Sequence, residues 1–460
     1  LLAQAFGNVE VGGEVAALGY DHAALRVAEW PGADFSAYRW GDTVEPILAG
    51  LTTRDLVYRE LVPYGSNASA NLMNAIDTPL QDRSFDPDSY AAILRMLSVG
   101  ELIVRNDLEY ERFRTPRPRP MERWMERVDG LGVRKAFGPS TPNVATSESP
   151  LLDDLELATP DTDADPPAVS VYPVEDPLPV VRTVPDDRAV IIAGDGEGIV
   201  TAAEANRLDP GRLVVYSGTV SNDESTFDGL MATHPEIVIT DTNRKAGRRW
   251  GTTKDNDGYT EMADETAPAD PSDNRFDLFD ERGTDVQTVA EQEGAVRATA
   301  SGYGNPLSFT PGDRAVNAVD ADPTTSWKVG AFSDVRGEWL QLATEKPSAP
   351  GSLTLTQPSL DVNRFITKVR LTFDGKDALD VDLGDTSRSS GQRIDLGDRT
   401  FSKLRITVVA TDRGVLGSYK GVSGVGFSTA RLGTTDATVE VIRPPVDLLD
   451  AAGARSNDLR

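Results

Sequence analysis

Ala189-Val190-Ile191-Ile192-Ala193-Gly194-Asp195-Gly196-Glu197-Gly198 is an unbroken apolar run closed by a glycine-rich turn. Continuous apolar character fits a strand covered on both faces, the habit of parallel sheets. Thr201 to Leu208 then follows a helical pattern and Arg212 to Tyr216 a second strand. Ser221 to Ala232 carries a second helix and Glu236 to Thr240 a third strand. Two βα repeats and a closing strand predict a small parallel α/β sheet with right-handed crossovers.

The pattern changes on both sides of this block. From about Glu293 to Ala430 the period is two: Val369, Leu371 and Phe373 alternate with Arg370 and Thr372, and Asp374-Gly375 is a hairpin signal. Many short strands separated by turns predict a β-sandwich. Upstream, short helices and strands mix. Ala24 to Ala28 reads as a strand, Asp55 to Leu61 and Ser69 to Ile76 as short helices, and Asp86-Pro87 as the start of a helix reaching Ser98. Glu101 to Arg105 reads as a strand, and Thr115 to Pro120 as an extended, proline-rich piece. The expected fold class is multidomain, α/β plus all-β. The expected division is a mixed α/β domain at 1–137, an Asp/Pro-rich linker at 138–184, a small three-layer α/β domain at 185–285, a β-sandwich at 290–432, and the first strand of a further domain in 433–460.

Composition narrows the chemistry. Over 460 residues, 73 acids face 46 bases, a formal charge of −27, and only nine of the bases are lysine. Such a chain repels nucleic acid on average. No cysteine is present, which excludes disulfides, thiolate metal sites and thiol nucleophiles. The two histidines, His22 and His234, have no metal partners at helical spacing. No apolar run approaches the ~20 residues that span a bilayer. The start at Leu1, without a signal-like segment, reads as that of a fragment of a longer protein.

Four stretches carry candidate chemistry. Gly194 to Gly198 stands where a strand meets a helix and can cradle a phosphate, but the glycine spacing departs from the dinucleotide fingerprint and two acids sit within it. A tight turn is the plainer reading, and no nucleotide is expected. Asp241, Asn243, Arg248 and Trp250 lie near the carboxyl end of the third strand, where open α/β sheets bind ligands. They form a candidate ligand cluster, with Arg–carboxylate bridging as the competing reading. Asp320, Asp322 and Thr325 can wrap a hard cation such as calcium, or close an Asx-turn loop through hydrogen bonds. Trp327 is read as core. Tyr38-Arg39-Trp40-Gly41-Asp42 and Val62-Pro63-Tyr64-Gly65 can stack on sugar rings or serve as packing.

Several runs also carry a family resemblance. Pro31-Gly32-Ala33-Asp34-Phe35-Ser36-Ala37-Tyr38-Arg39-Trp40-Gly41, Arg59 to Ser66, Tyr110 to Pro118, Ser217-Gly218, Thr240 to Arg244 and Arg248 to Thr252 resemble the large α-(1→3)-arabinofuranosyltransferases of actinobacterial cell walls, the arabinofuranosyltransferase D type. The resemblance covers residues 30 to 260. The sandwich resembles the discoidin-like carbohydrate-binding jelly roll, whose A-x-D-G-D-x-x-T-x-W loop is matched by Ala318, Asp320, Ala321, Asp322, Thr325 and Trp327. Ala321 replaces the usual Gly and would be strained if that position needs positive φ.

The resemblance implies a membrane enzyme that moves arabinofuranose from a decaprenyl-phosphate donor to arabinan of arabinogalactan or lipoarabinomannan. It implies that the multi-span C-type glycosyltransferase portion, with its catalytic acids, lies outside this chain. No catalytic residue is therefore assigned. What remains is expected to be extracytoplasmic, its first domain membrane-proximal, with the membrane part of the same polypeptide and cell-wall arabinan as partners. Loop position in the sandwich makes Phe332, Asp334, Arg336 and Arg364 the expected carbohydrate contacts. A non-binding structural scaffold and an independent glycoside hydrolase are the alternatives.

Overall fold

The computed structural model describes residues 25–33, 35–59, 66–113, 115–144, 165–185, 187–221, 223–248, 258–265, 277–279, 283–305, 310–359, 363–414, 423–449 and 458–459. His22, the Val62 to Gly65 aromatic piece, most of the Asp/Pro-rich linker and Trp250 lie outside these residues. The chain divides into two compact units. One takes residues 1–243, 276–287 and 445–460, and the other 244–275 and 288–444.

In the first unit the main elements in chain order are β1 (Arg26–Trp30), β2 (Leu56–Val57), α1 (Asn67–Asp82), α2 (Pro87–Met96), β3 (Val99–Arg105), α3 (Pro118–Met125), β4 (Lys135–Phe137), β5 (Val169–Pro173), β6 (Val190–Ala193), α4 (Gly196–Glu204), β7 (Val214–Tyr216), α5 (Glu224–Ala232) and β8 (Glu236–Ile239). A five-stranded sheet has the order β2-β1-β3-β5-β4. Its β1 pairs parallel to both β2 and β3, and β5 runs antiparallel to β3. The second sheet is parallel, with β6 between β8 and β7, as the apolar run of β6 predicts.

Helix starts follow side-chain capping. The Ser66 hydroxyl accepts from the Ser69 N–H ahead of α1, and Asp86 accepts from Asp88 N–H ahead of α2 with Pro87 in the first turn. Two local expectations change. Leu56–Val57 is a strand rather than part of a helix, because it completes the edge beside β1. Pro118 and Pro120 open α3 rather than an extended piece, since proline is tolerated in a first helical turn. Val169–Pro173, within the Asp/Pro-rich stretch, is a buried strand of the five-stranded sheet, in keeping with the alternation over Ala168 to Tyr172.

The expected boundary between a first domain and the small α/β domain disappears in the core. One apolar cluster joins Trp30, Leu80, Tyr90, Leu94 and Leu102 to Val190, Ile192, Ile199 and Val238. The opposite face of β6, through Ala189, Ile191 and Ala193, packs with Leu230, Met231 and Ile237. The two sheets share the first of these clusters, so they are one unit.

The second unit contains β9 (Val289–Glu293), β10 (Arg297–Ala300), β11 (Trp327–Val329), β12 (Trp339–Ser348), β13 (Ser352–Thr356), β14 (Ile366–Phe373), β15 (Asp377–Asp382), β16 (Gln392–Asp395), β17 (Phe401–Thr411), β18 (Val425–Phe427), β19 (Thr429–Leu432) and β20 (Val439–Arg443). Two antiparallel sheets, ordered β10-β12-β17-β14-β15 and β16-β13-β19, contribute alternate residues to one core. Leu340, Leu342, Val369, Leu371, Leu404 and Ile406 come from the larger sheet, and Leu353, Leu355 and Leu432 from the smaller. Trp327 is fully buried there, and its indole N–H donates to the Gly302 carbonyl at 2.9 Å. The segment read as the start of a further domain belongs here: β20 pairs antiparallel with β9, Val289 opposite Arg443 and Glu293 opposite Val439.

Candidate functional site: an exposed loop of the second unit

Residues 330–338 connect β11 to β12. Gly330 and Gly337 take φ of 73° and 96°, so the loop reverses at both ends in a conformation that suits glycine. Val335 is buried and anchors the middle. Arg364 braces the base: its Nη2 donates to the Gly330 carbonyl and its Nε to the Ser423 carbonyl, both at 2.7 Å. With Arg364 only 6% exposed, burial holds its pKa below the ordinary arginine value. Arg364 is therefore a clamp rather than a surface contact.

The tip projects Phe332, 69% exposed and at φ 64°. An aromatic residue in the left-handed region is strained by ~1 kcal/mol or more, and such strain persists only where surrounding structure enforces it. Beside it the Arg336 Nε and Nη2 grip the Asp334 carboxylate at 3.0 and 2.5 Å, and the Arg336 N–H adds a third bond at 3.0 Å. These hydrogen bonds hold the Asp334 carboxyl at about 2, so it stays ionised throughout the neutral range. Three of the four expected contacts, Phe332, Asp334 and Arg336, thus share one exposed loop, and the fourth supports it from beneath.

The loop preceding β11 holds the expected cation ligands together. Asp320 Oδ1 accepts from the Asp322 N–H at 3.0 Å, and Oδ2 from the Thr325 hydroxyl at 2.7 Å. Asp322 Oδ1 accepts from the Thr324 N–H at 2.8 Å and hydroxyl at 2.6 Å. Those bonds lower the Asp322 pKa. Calcium takes roughly six to eight oxygens, and here the two carboxylates already serve the loop's own donors. Among the described residues no group of three or more acidic or histidine side chains is placed to hold a metal. The donor set fits an Asx-turn closure and fits calcium poorly. Ala321 sits at φ 61°, so the position does require the left-handed conformation.

The candidate ligand cluster of the α/β sheet is described at two of its four positions within the first unit. Asn243 is buried and donates to the Val286 carbonyl at 2.8 Å, while Asp241 is exposed. Both belong to the first unit, Arg248 to the second, and Trp250 lies outside the described residues. The glycine-rich turn is occupied by protein. Asn71 Oδ1 accepts from the Gly196 N–H at 2.7 Å, and its amide donates to Asp195 Oδ2 at 2.9 Å. Asp195 Oδ1 caps α4 through the Glu197 N–H at 3.0 Å. The N–H groups a phosphate would use are thereby engaged, as the tight-turn reading requires.

The Tyr38 to Asp42 segment is consumed by packing. Tyr38 is buried and stacks on Trp40, centroids 4.8 Å apart. Arg39 forms a bidentate pair with Glu111 at 2.6 and 2.7 Å, and Asp42 pairs with Arg112. Sequence reasoning missed the buried ionic groups around this segment. Glu29 is buried at the end of β1, close to Arg105 and Asp107, and burial pushes its carboxyl up to about 7. Arg105 itself forks onto Asp107 at 3.0 and 2.7 Å and lies over the Tyr38 ring. Buried Arg59 pairs with buried Asp77, which also accepts from the Gly32 N–H at 2.8 Å and Gln81 at 2.6 Å. A Cβ at position 32 would come within 2.7 Å of Arg59. Two of the runs that carry the family resemblance, Pro31 to Gly41 and Arg59 to Ser66, therefore meet at one buried ion pair.

Comparison with known proteins gives the family. Residues 16–275, more than half of the chain, match the family model described as alpha-(1->3)-arabinofuranosyltransferase, N-terminal GT-C domain. The chain belongs to the alpha-(1->3)-arabinofuranosyltransferase family. Two curated alpha-(1->3)-arabinofuranosyltransferases are similar to it. That of Mycolicibacterium smegmatis is 24% identical over 91% of this chain and 30% of its own length, and that of Mycobacterium tuberculosis 23% over 88% and 28%. The chain thus spans under a third of these relatives. The cryo-EM structure of the arabinofuranosyltransferase AftD from mycobacteria shares the fold over 94% of this chain and 32% of that one, with TM-score 0.62 and 17% identity. A mutant of it gives TM-score 0.66 at 19% identity, covering 95% and 34%. The matched family model carries the GT-C description, whereas the sequence resemblance placed this chain outside the GT-C portion. Among the described residues no helix is long and apolar enough to cross a membrane.

Proposed function

We propose that this chain is an extracytoplasmic accessory region of a membrane arabinofuranosyltransferase, and that its second unit is a discoidin-like module binding cell-wall arabinan. In this reading the whole enzyme takes arabinofuranose from decaprenyl-phosphate-arabinose and extends arabinan of arabinogalactan or lipoarabinomannan. The catalytic acids lie in other parts of the polypeptide, and the first unit packs with the membrane portion. The observation that carries the reading is the Phe332 loop: an exposed aromatic ring held in a strained conformation above a buried arginine clamp. A neutral pentose polymer offers ring faces and hydroxyls rather than charge. Phe332 supplies a stacking surface, and Asp334 and Arg336 supply an acceptor and donors beside it.

Calorimetric titration of the 460-residue chain with linear and branched arabinofuranose oligosaccharides tests this, with mannose and galactofuranose oligomers as controls. Saturable, arabinan-selective heat in the millimolar range, about −4 kcal/mol, is expected, falling tenfold or more in Phe332→Ala. Removing calcium with a chelator is expected to leave it unchanged. No heat with any glycan turns the assignment to a structural scaffold.

A further inference from the structure

A second surface feature of the same unit has a different chemistry. On β13 and β19 the inward residues are Leu353, Leu355, Ala430 and Leu432, all buried. Their alternates, Thr354, Thr356, Thr429 and Arg431, lie on the other face, half-buried or exposed. The register sets Thr354 opposite Arg431 and Thr356 opposite Thr429, a compact block across two strands. These four line a cavity of about 260 Å³. Ser390 and Thr435 add two more hydroxyls and Asp436 a carboxylate. Val296 and Ala318 contribute apolar surface, and Ala321 lines it from the strained loop. That loop leads into β11 and the Phe332 loop leaves it, so the two features lie at opposite ends of one strand.

Single threonines on an outer sheet face are ordinary solvated residues. Here five hydroxyls, one cation and one anion surround a concavity. Among the described residues none of these seven side chains has a hydrogen-bond or ion-pair partner, Arg431 and Asp436 included. The charges on the lining cancel, so the cavity selects neither anions nor cations. Each hydroxyl both donates and accepts. A carboxylate accepts from two adjacent hydroxyls of a diol, and a guanidinium donates as a fork. No aromatic side chain lines the cavity, so a ring would be held by its edges rather than stacked. The volume sits just below the ~300–1,000 Å³ of pockets for drug-sized ligands, which suits one ring.

We propose that this cavity binds a single neutral, polyhydroxylated sugar ring through its hydroxyl edges. The site goes beyond the reading given above, because it needs no residue of the Phe332 loop. Methyl NMR of the 460-residue chain, with Ala, Leu, Thr and Val labelled, tests it. The probes are methyl arabinofuranoside, methyl galactofuranoside and methyl mannopyranoside, each taken well above a ~1 mM Kd. Saturable shifts of the Thr354, Thr356 and Thr429 methyls are expected with at least one probe. Thr354→Val and Arg431→Gln should each weaken that binding tenfold or more while the Leu353 and Leu355 methyl signals stay in place, certifying the fold. Phe332→Ala should leave it unchanged. No saturable shift at these methyls, or equal affinity in both variants, overturns the proposal. Shifts confined to Val335, beneath the Phe332 loop, also overturn it while leaving the loop reading intact.

Discussion

Glu29 is a carboxyl with almost no water around it. Its folded pKa of about 7 lies above the ordinary 4.5, chiefly through burial, with Arg105 pulling it only part of the way back. Between those two values the folded chain keeps a proton that the unfolded chain has released. Stability contributed by this group is therefore whole below pH 4.5 and declines as pH rises to about 7. The total is on the order of 3 kcal/mol. Glu29→Gln mimics the neutral form, so its stability should match wild type near pH 4.5 and exceed it at pH 8. Denaturant titrations across that range check this, and parallel pH profiles for the two proteins would refute it. Ala321 is the opposite kind of residue, exposed and strained through its backbone at φ 61°. Glycine removes the ~1–2 kcal/mol left-handed penalty and returns part of it as unfolded-state entropy. Ala321→Gly should raise stability by about 0.5 kcal/mol, read as a higher urea midpoint at unchanged slope.

At the scale of elements, the contact between α1 and the first turn of α4 is set by an absent side chain. A Cβ at Gly196 would sit 2.7 Å from the Leu72 Cα and 2.7 Å from Asn71 Oδ1. Backbone cannot yield as a flexible side chain can, so Gly196→Ala should cost about 1–3 kcal/mol and disturb the Asn71 bonds. Thermal denaturation checks this, and an unshifted midpoint would show that the turn has room. The strand-turn-helix order around β6 was legible because an apolar run of that length has few other fates. So was the alternation in β14, where Val369, Leu371 and Phe373 face the core. The Leu56–Val57 strand was not legible, since two residues carry no period and only the neighbouring β1 makes them a strand. In the same way Phe332, Asp334 and Arg336 could be placed on a loop from sequence. The role of Arg364 could not, because its partners are carbonyls 34 and 59 residues away. The Thr354 block was hidden for the same reason: only the pairing of β13 with β19 brings its two halves together.

Across the whole molecule, the two compact units have separate cores, one built around Trp30, Leu94 and Ile192 and the other around Trp327, Leu342 and Ile406. Separate cores predict separable melting. Ile192→Ala and Leu342→Ala each remove about 2–5 kcal/mol from one core. Each should lower one calorimetric transition and leave the other, and a single transition moved equally by both would show one cooperative block. The sequence division into consecutive domains could not anticipate this, because both units are assembled from separate stretches of chain. Residues 244–275 contribute to the second unit ahead of the sandwich strands, and 445–460 return to the first.

The antiparallel pairing of β9 with β20 sets how the second unit would answer to pulling. Val289 stands opposite Arg443 at the end where the chain enters and leaves, and Glu293 opposite Val439 at the far end. Tension applied through residues 288 and 444 would load the rungs of this ladder one after another, like the teeth of a zipper, rather than all together in shear. The strand pair would open at low force before the sandwich core bore any load.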